Sequence, residues 1–211
     1  WSVPIPGEHN LENISCALAV AKHFHIPESV VKKAVENFKP IAGRLELIRT
    51  VKGVKFYNDT NATTPDATIA GLRALGDSGF TIQDSRNLKS KILNHESDKH
   101  IVLIMGGTDK GLDMSKLVAE IPKHCKAVVM LKESGTDKLL SEFPLIKGGA
   151  TRLRVGDVVL KDSLKGCVEE AMKLVKKGDT VLFSPAFASF GKWFKNEYDR
   201  GEQFVELVKG L

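Results

Sequence analysis

The sequence predicts an α/β fold, a Rossmann-like open and mostly parallel sheet with helices on both faces, preceded by a small helical segment. Three observations predict it. From residue 54 onward, short β-rich runs alternate with amphipathic helical ones, and strands separated by helices pair in parallel through right-handed crossovers. The run Thr180–Phe183 reads as a strand buried on both faces, as parallel sheets require. With 211 residues and 42% hydrophobic content, the chain can bury one good core or divide into a large unit and a small one.

The elements follow in order. Leu11, Ile14, Ala17, Leu18 and Ala21 fall at three-and-four spacing, so a helix begins near Asn10 with one apolar stripe. Pro27 opens a second helix through Val30, Val31, Ala34, Val35 and Phe38, and Pro40 closes it. Two helices of this size cannot build a core, so residues 1–42 are expected to be the remnant of a larger domain, and 43–211 the α/β domain, with Gly43 as the hinge. The start at Trp1, running at once into Val3-Pro4-Ile5-Pro6-Gly7, points the same way.

Beyond Gly43, residues 45–48 and 54–57 form a predicted hairpin about a Lys52-Gly53 turn. A helix is expected over Asp66–Leu75, a strand over Ile101–Met105, a helix over Ser115–Ile121, a strand over Ala127–Leu131 and a helix over Thr136–Phe143. A short strand near Thr151–Val155 precedes a long helix over Ser163–Lys177, the strand Thr180–Phe183 and a closing helix over Trp193–Val208. Residues 81–100 are polar and read as a surface insertion.

Composition removes several function classes. No apolar run approaches the roughly 18 to 20 residues of a membrane helix, and no signal segment opens the chain, so a cytoplasmic location without a membrane partner is expected. The net charge of +5 comes from lysines scattered along helices without interleaved aromatics, which suits anionic small molecules and not nucleic acid. Cys16, Cys125 and Cys167 are widely spaced and read as buried free thiols. His23 and His25 read as surface positions, and no histidine has metal-ligand spacing.

Chemistry belongs at the carboxyl ends of the strands, where an open parallel sheet gathers its loops and helix amino-termini. Three segments fall there: Asn58–Asp66, Gly106–Gly111 and Ser184–Gly191. Thr64 or Thr63 precedes Pro65 as a helix cap, so the N–H groups beyond it favour an anion. Lys110, flanked by glycines and aspartates, calls for a carboxylate or phosphate partner. Taken singly, Gly106-Gly107 also fits a plain strand-to-helix turn, Asp59 a surface turn and Ser189 a helix cap. Periodicity and spacing therefore stop at an α/β domain that binds a small anionic ligand. Gly106–Gly111 is no phosphate loop, because its lysine is followed by glycine where a hydroxyl residue is needed, so the chain is not expected to hold a nucleoside triphosphate and Mg²⁺ by itself.

The motifs themselves say more. Gly7-Glu8-His9-Asn10-Leu11-Glu12-Asn13-Ile14 resembles a segment near the end of the central ATPase domain of the Mur ligases, and Gly43-Arg44-Leu45-Glu46 resembles their domain junction. Asn58–Thr63, Gly106–Asp113 and Ser184–Phe190 are similar to motifs of the D-glutamate-adding branch, whose second-strand loop lacks the histidine of its relatives. The resemblance runs in family order from residue 7 to 201. It implies a three-domain enzyme in which ATP, with Mg²⁺, phosphorylates the alanyl carboxylate of UDP-N-acetylmuramoyl-L-alanine. The amine of D-glutamate then attacks the acyl phosphate, and a tetrahedral intermediate collapses to an amide and phosphate.

Carried over by position, the resemblance implies that Lys110, Thr63, Ser189 and Phe190 hold D-glutamate. It places Asn10 and Asn13 near the base of ATP, and Arg44 and Asp59 near its ribose and phosphates. Asn61 departs from the lysine of some members, and the stretch from Ser189 to Arg200 is one residue longer than usual. The UDP-binding domain, the phosphate loop, the metal ligands and the modified lysine of the family lie outside this sequence, which implies a monomeric carboxy-terminal part that is inactive alone. The alternatives are another Mur-type amino-acid ligase or a free-standing, non-catalytic amino-acid-binding module.

Overall fold

A computed structural model describes residues 1–76, 99–142 and 158–211. The strand expected at Thr151–Val155, Phe143 at the end of its helix, and nearly all of the 81–100 insertion lie outside the described residues.

Helices α1 (Glu8–His23) and α2 (Glu28–Glu36) come first and contain no buried residue. The first buried position in the chain is Gly43. Of the predicted stripe, Leu11, Ile14, Leu18 and Ala21 are half-buried, while Ala17 is exposed, as are Val20, Phe24, Val30 and Phe38. Cys16 corrects the expectation of three buried thiols: it lies exposed on α1, where among the described residues no neighbouring element covers it, whereas Cys125 and Cys167 are buried.

The hairpin β1 (Glu46–Val51) and β2 (Val54–Asn58) forms as expected. Lys52 at φ 51° and Gly53 at φ 80° give the two left-handed residues that a two-residue turn needs to match strand twist. Helix α3 (Pro65–Gly76), strand β3 (Ile101–Met105), helix α4 (Ser115–His124), strand β4 (Cys125–Leu131) and helix α5 (Ser134–Glu142) follow in the predicted alternation. Strand β5 (Val158–Lys161), helix α6 (Leu164–Leu174), strand β6 (Thr180–Phe183) and helix α7 (Glu197–Lys209) complete the described elements.

The six strands lie in the order β1-β2-β6-β3-β4-β5, parallel except for the β1–β2 hairpin. Every residue of β3 and β6 is buried, and alternate side chains serve two cores. Val102, Ile104, Val181 and Phe183 face Cys167, Val168, Phe204 and Val208 of α6 and α7. Ile101, Leu103, Met105 and Leu182 face Ile69 and Leu72 of α3 and Leu117 and Ile121 of α4.

Several boundaries differ from expectation, with β1 running on to Val51, α4 to His124, β4 starting at Cys125 and α5 at Ser134; two more lie toward the closing helix. The closing helix starts at Glu197, not Trp193, because the Asn196 side chain accepts the Asp199 N–H at 2.9 Å and caps it there. The aromatic residues before that cap belong to a loop that turns through residues 191–193, in which Phe190 and Phe194 pair as a β-bridge. The helix predicted to reach Lys177 ends at Leu174, where Val175 turns extended.

Candidate functional site

The strand order puts β2, β6 and β3 side by side and parallel, so the three candidate loops leave one edge of the sheet together. They are stitched by backbone hydrogen bonds: Asp59 N–H to Phe183 O at 2.8 Å, Ala186 N–H to Ala62 O at 2.9 Å, Gly106 N–H to Pro185 O at 3.0 Å. Thr108 and Ala188 exchange N–H to O bonds at 3.1 and 3.2 Å, and the Thr108 hydroxyl donates to Phe190 O. Glycine is needed at 107: at φ 155° the backbone runs so close that a Cβ would sit 2.4 Å from Ala188 O.

Thr64 is the cap of α3, its hydroxyl accepting from Ala67 N–H at 3.3 Å, which leaves Thr63 free to face the loop. The Lys110 ammonium donates to the Thr63 hydroxyl at 3.4 Å, joining the loops after β2 and β3. Asp109 turns away to Lys138 at 3.1 Å and accepts from Gly111 N–H at 3.0 Å. That turn hydrogen bond, then the Lys138 ammonium, hold its carboxyl below the usual range. Lys110 itself is exposed at the tip.

Ser189 is buried and does not cap a helix; its hydroxyl lies 3.4 Å from Glu197 Oε2 in the first turn of α7. Phe190 is 61% exposed, contributing its backbone and not its ring to the packing. Asp59 is no surface turn residue. It is buried, and its carboxylate accepts from Leu45 N–H at 3.1 Å and from the Ser184 hydroxyl at 2.8 Å. Burial pushes its pKa up to about 7, against the lowering effects of those two hydrogen bonds and of the nearby Arg44 charge. Arg44 is exposed and follows Gly43, which takes φ 74° and packs against Thr60.

Asn10 and Asn13 stand apart from this group. The Asn10 amide donates to Pro6 O at 2.6 Å, Asn13 is exposed, and among the described residues neither is hydrogen-bonded to the rim.

Sequence reasoning missed the residue that organises the edge. Arg200 of α7 is fully buried, and its guanidinium donates to Thr60 O at 2.8 Å, Thr60 Oγ1 at 3.1 Å, and Phe187 O and Ala188 O at 3.2 Å each. It locks the β2 loop to the β6 loop. Its signal was present in the sequence: Arg200, Phe204 and Val208 recur at four-residue spacing on the buried face of α7.

The fold is a mostly parallel α/β domain whose three loops meet at one strand-end rim, the place where open parallel sheets receive their ligands. Residues 43–187 match the family model described as "Mur ligase, glutamate ligase domain", and the chain belongs to that family. It is 36% identical over 210 residues to a UDP-N-acetylmuramoylalanine-D-glutamate ligase of Roseiflexus sp. (strain RS-1), covering 99% of this chain and 39% of the relative. The like-named protein of Bacillus subtilis (strain 168) is 32% identical over 209 residues, with the same coverage. The chain thus spans about two fifths of the length of these relatives. Among solved structures, MurF from Acinetobacter baumannii superposes with a TM-score of 0.62 at 16% identity, covering 98% of this chain and 39% of that one. UDP-N-acetylmuramate-alanine ligase MurC from Thermotoga maritima gives 0.60 at 17% identity, covering 99% and 39%. At that identity the likeness is one of fold.

Proposed function

We propose that this chain is the carboxy-terminal part of an ATP-dependent ligase that joins D-glutamate to UDP-N-acetylmuramoyl-L-alanine in peptidoglycan precursor synthesis, and that it supplies the D-glutamate subsite. The observation that carries the reading is the Lys110–Thr63 contact, which sets an exposed ammonium beside a hydroxyl at the strand-end crevice. Such a pair complements a carboxylate. Ser189 and the backbone at Phe190, tied to the same crevice through Thr108 and Ala188, serve the second carboxylate.

The Asp59 carboxylate faces inward, so its part in ATP binding runs through Arg44, the exposed guanidinium beside it. Asn10 and Asn13 are assigned to the nucleotide base by their motif. Mg²⁺ and the acyl-phosphate chemistry belong to regions outside this sequence, and residues 1–211 alone perform no ligation. What the chain contributes is orientation: it presents the amine of D-glutamate to an acyl phosphate formed elsewhere, an effect of positioning and fixed charge.

The test is substitution of Lys110 by Ala in the full-length enzyme. Losing a charge-assisted hydrogen bond of about 2 kcal/mol raises KM for D-glutamate on the order of 30-fold, with kcat changed less. An unchanged KM refutes the assignment.

A further inference from the structure

The crevice contains a carboxylate of its own. Glu197 Oε2 lies 3.4 Å from the Ser189 hydroxyl, and a serine has only one O–H to donate. Glu197 is held in place: its backbone carbonyl accepts from Thr60 Oγ1 at 3.1 Å, and it occupies the first turn of α7, where the helix dipole favours an anion. It is also the carboxylate whose field acts on Arg200. The four hydrogen bonds described for that buried guanidinium all go to neutral oxygens, so Glu197 supplies opposing charge near it.

This inference rests on the D-glutamate reading of the crevice. A ligand carboxylate that takes the Ser189 hydroxyl must displace one already there, against like-charge repulsion at short range. We propose that Glu197 sets the affinity of this subsite for carboxylates, its own carboxylate accepting the Ser189 hydroxyl's hydrogen bond and competing with the carboxylate of the incoming amino acid. Glu197 then weakens the binding of any carboxylate that takes the Ser189 hydroxyl, the substrate included.

The experiment is an NMR titration of the ¹⁵N-labelled 211-residue chain with D-glutamate, and separately with glutarate, which keeps both carboxylates and lacks the ammonium. Wild type is compared with Glu197→Gln and Glu197→Ala, the former conserving size in case the latter perturbs α7. The expected result is tighter binding of both ligands in both variants, by roughly three- to tenfold, with amide shifts at Thr63, Lys110 and Ser189. Weaker D-glutamate binding with glutarate unaffected would overturn the proposal, because Glu197 would then be recognising the ammonium. Equal affinities in all three proteins would also overturn it while leaving the D-glutamate site intact. If neither ligand shifts those amides in any of the three proteins, the D-glutamate reading itself fails, and this inference with it.

Discussion

Asp59 offers a direct test of how the crevice is held together, through the substitution Asp59→Asn. Asp59 is 7% exposed, and burial pushes its carboxyl from the ordinary 3.8 up to about 7. In its protonated form it can donate to the Ser184 oxygen, which passes a hydrogen bond to Thr68 Oγ1 at 3.0 Å, and Thr68 in turn reaches Ser184 O at 3.4 Å. An asparagine reproduces that pattern, its oxygen accepting from Leu45 N–H and its amide donating to Ser184. Because the folded-state pKa is raised, the favourable neutral form is fully present below the unfolded value, and stability falls as pH rises from about 4 to 7. At about 1.4 kcal/mol per pH unit the loss is on the order of 4 kcal/mol, a large share of a domain's stability. Urea denaturation of the two proteins between pH 4 and 8 is the assay. The curves should coincide near pH 4 and diverge until Asp59→Asn is the more stable by roughly 2–4 kcal/mol above pH 7. Parallel curves across the range would show that Asp59 ionises freely and that its burial is not felt.

Two further expectations concern the frame around the crevice. Arg200→Ala leaves the carbonyls of Thr60, Phe187 and Ala188 without their donor and opens a buried volume, so it should cost on the order of 4 kcal/mol in urea unfolding; Arg200→Lys, which keeps the charge but not the fork, should recover less than half of that. With Ellman's reagent the native chain should show one fast thiol, Cys16, while Cys167, pushed up to about 12 by burial, and Cys125, pushed up as well, react only in denaturant. A second fast thiol would contradict the packing of α4–β4 or α6.

How much was legible in advance follows from which signals are local. The alternation of apolar runs located β3 and β6 to the residue, since a short run buried on both faces is bounded closely by polar residues and glycine, His100 and Gly106 around β3 and Asp179 and Ser184 around β6. The three loops were legible for the same reason, because a loop leaving a parallel strand must emerge at its carboxyl end. What was not legible depends on contacts distant in sequence. Whether Asp59 faces solvent or Ser184 is decided by a residue 125 positions away, and whether Ser189 caps a helix or meets Glu197 depends on where Asn196 starts α7. The aromatic spacing through Trp193 and Phe194 imitates a helix, and only the capping geometry separates the two outcomes.

The crevice divides its work between two kinds of group, and the division has a physical cause. Arg200, Asp59 and Ser184 are buried and hydrogen-bonded almost entirely to protein, so they fix the positions of the loops and offer a ligand little. Lys110 and Arg44 are exposed and sit beside glycines with positive φ, so their charges remain available at the surface on backbone that only glycine adopts readily. A charge already satisfied by the fold cannot also be the main attraction for a substrate, because moving it into a new partnership would first break buried bonds. Substitutions in the first group should therefore alter stability and binding together, whereas truncating Lys110 or Arg44 should weaken binding at unchanged stability. Unfolding midpoints that fall with Lys110→Ala as far as with Arg200→Ala would show that the crevice has no such division.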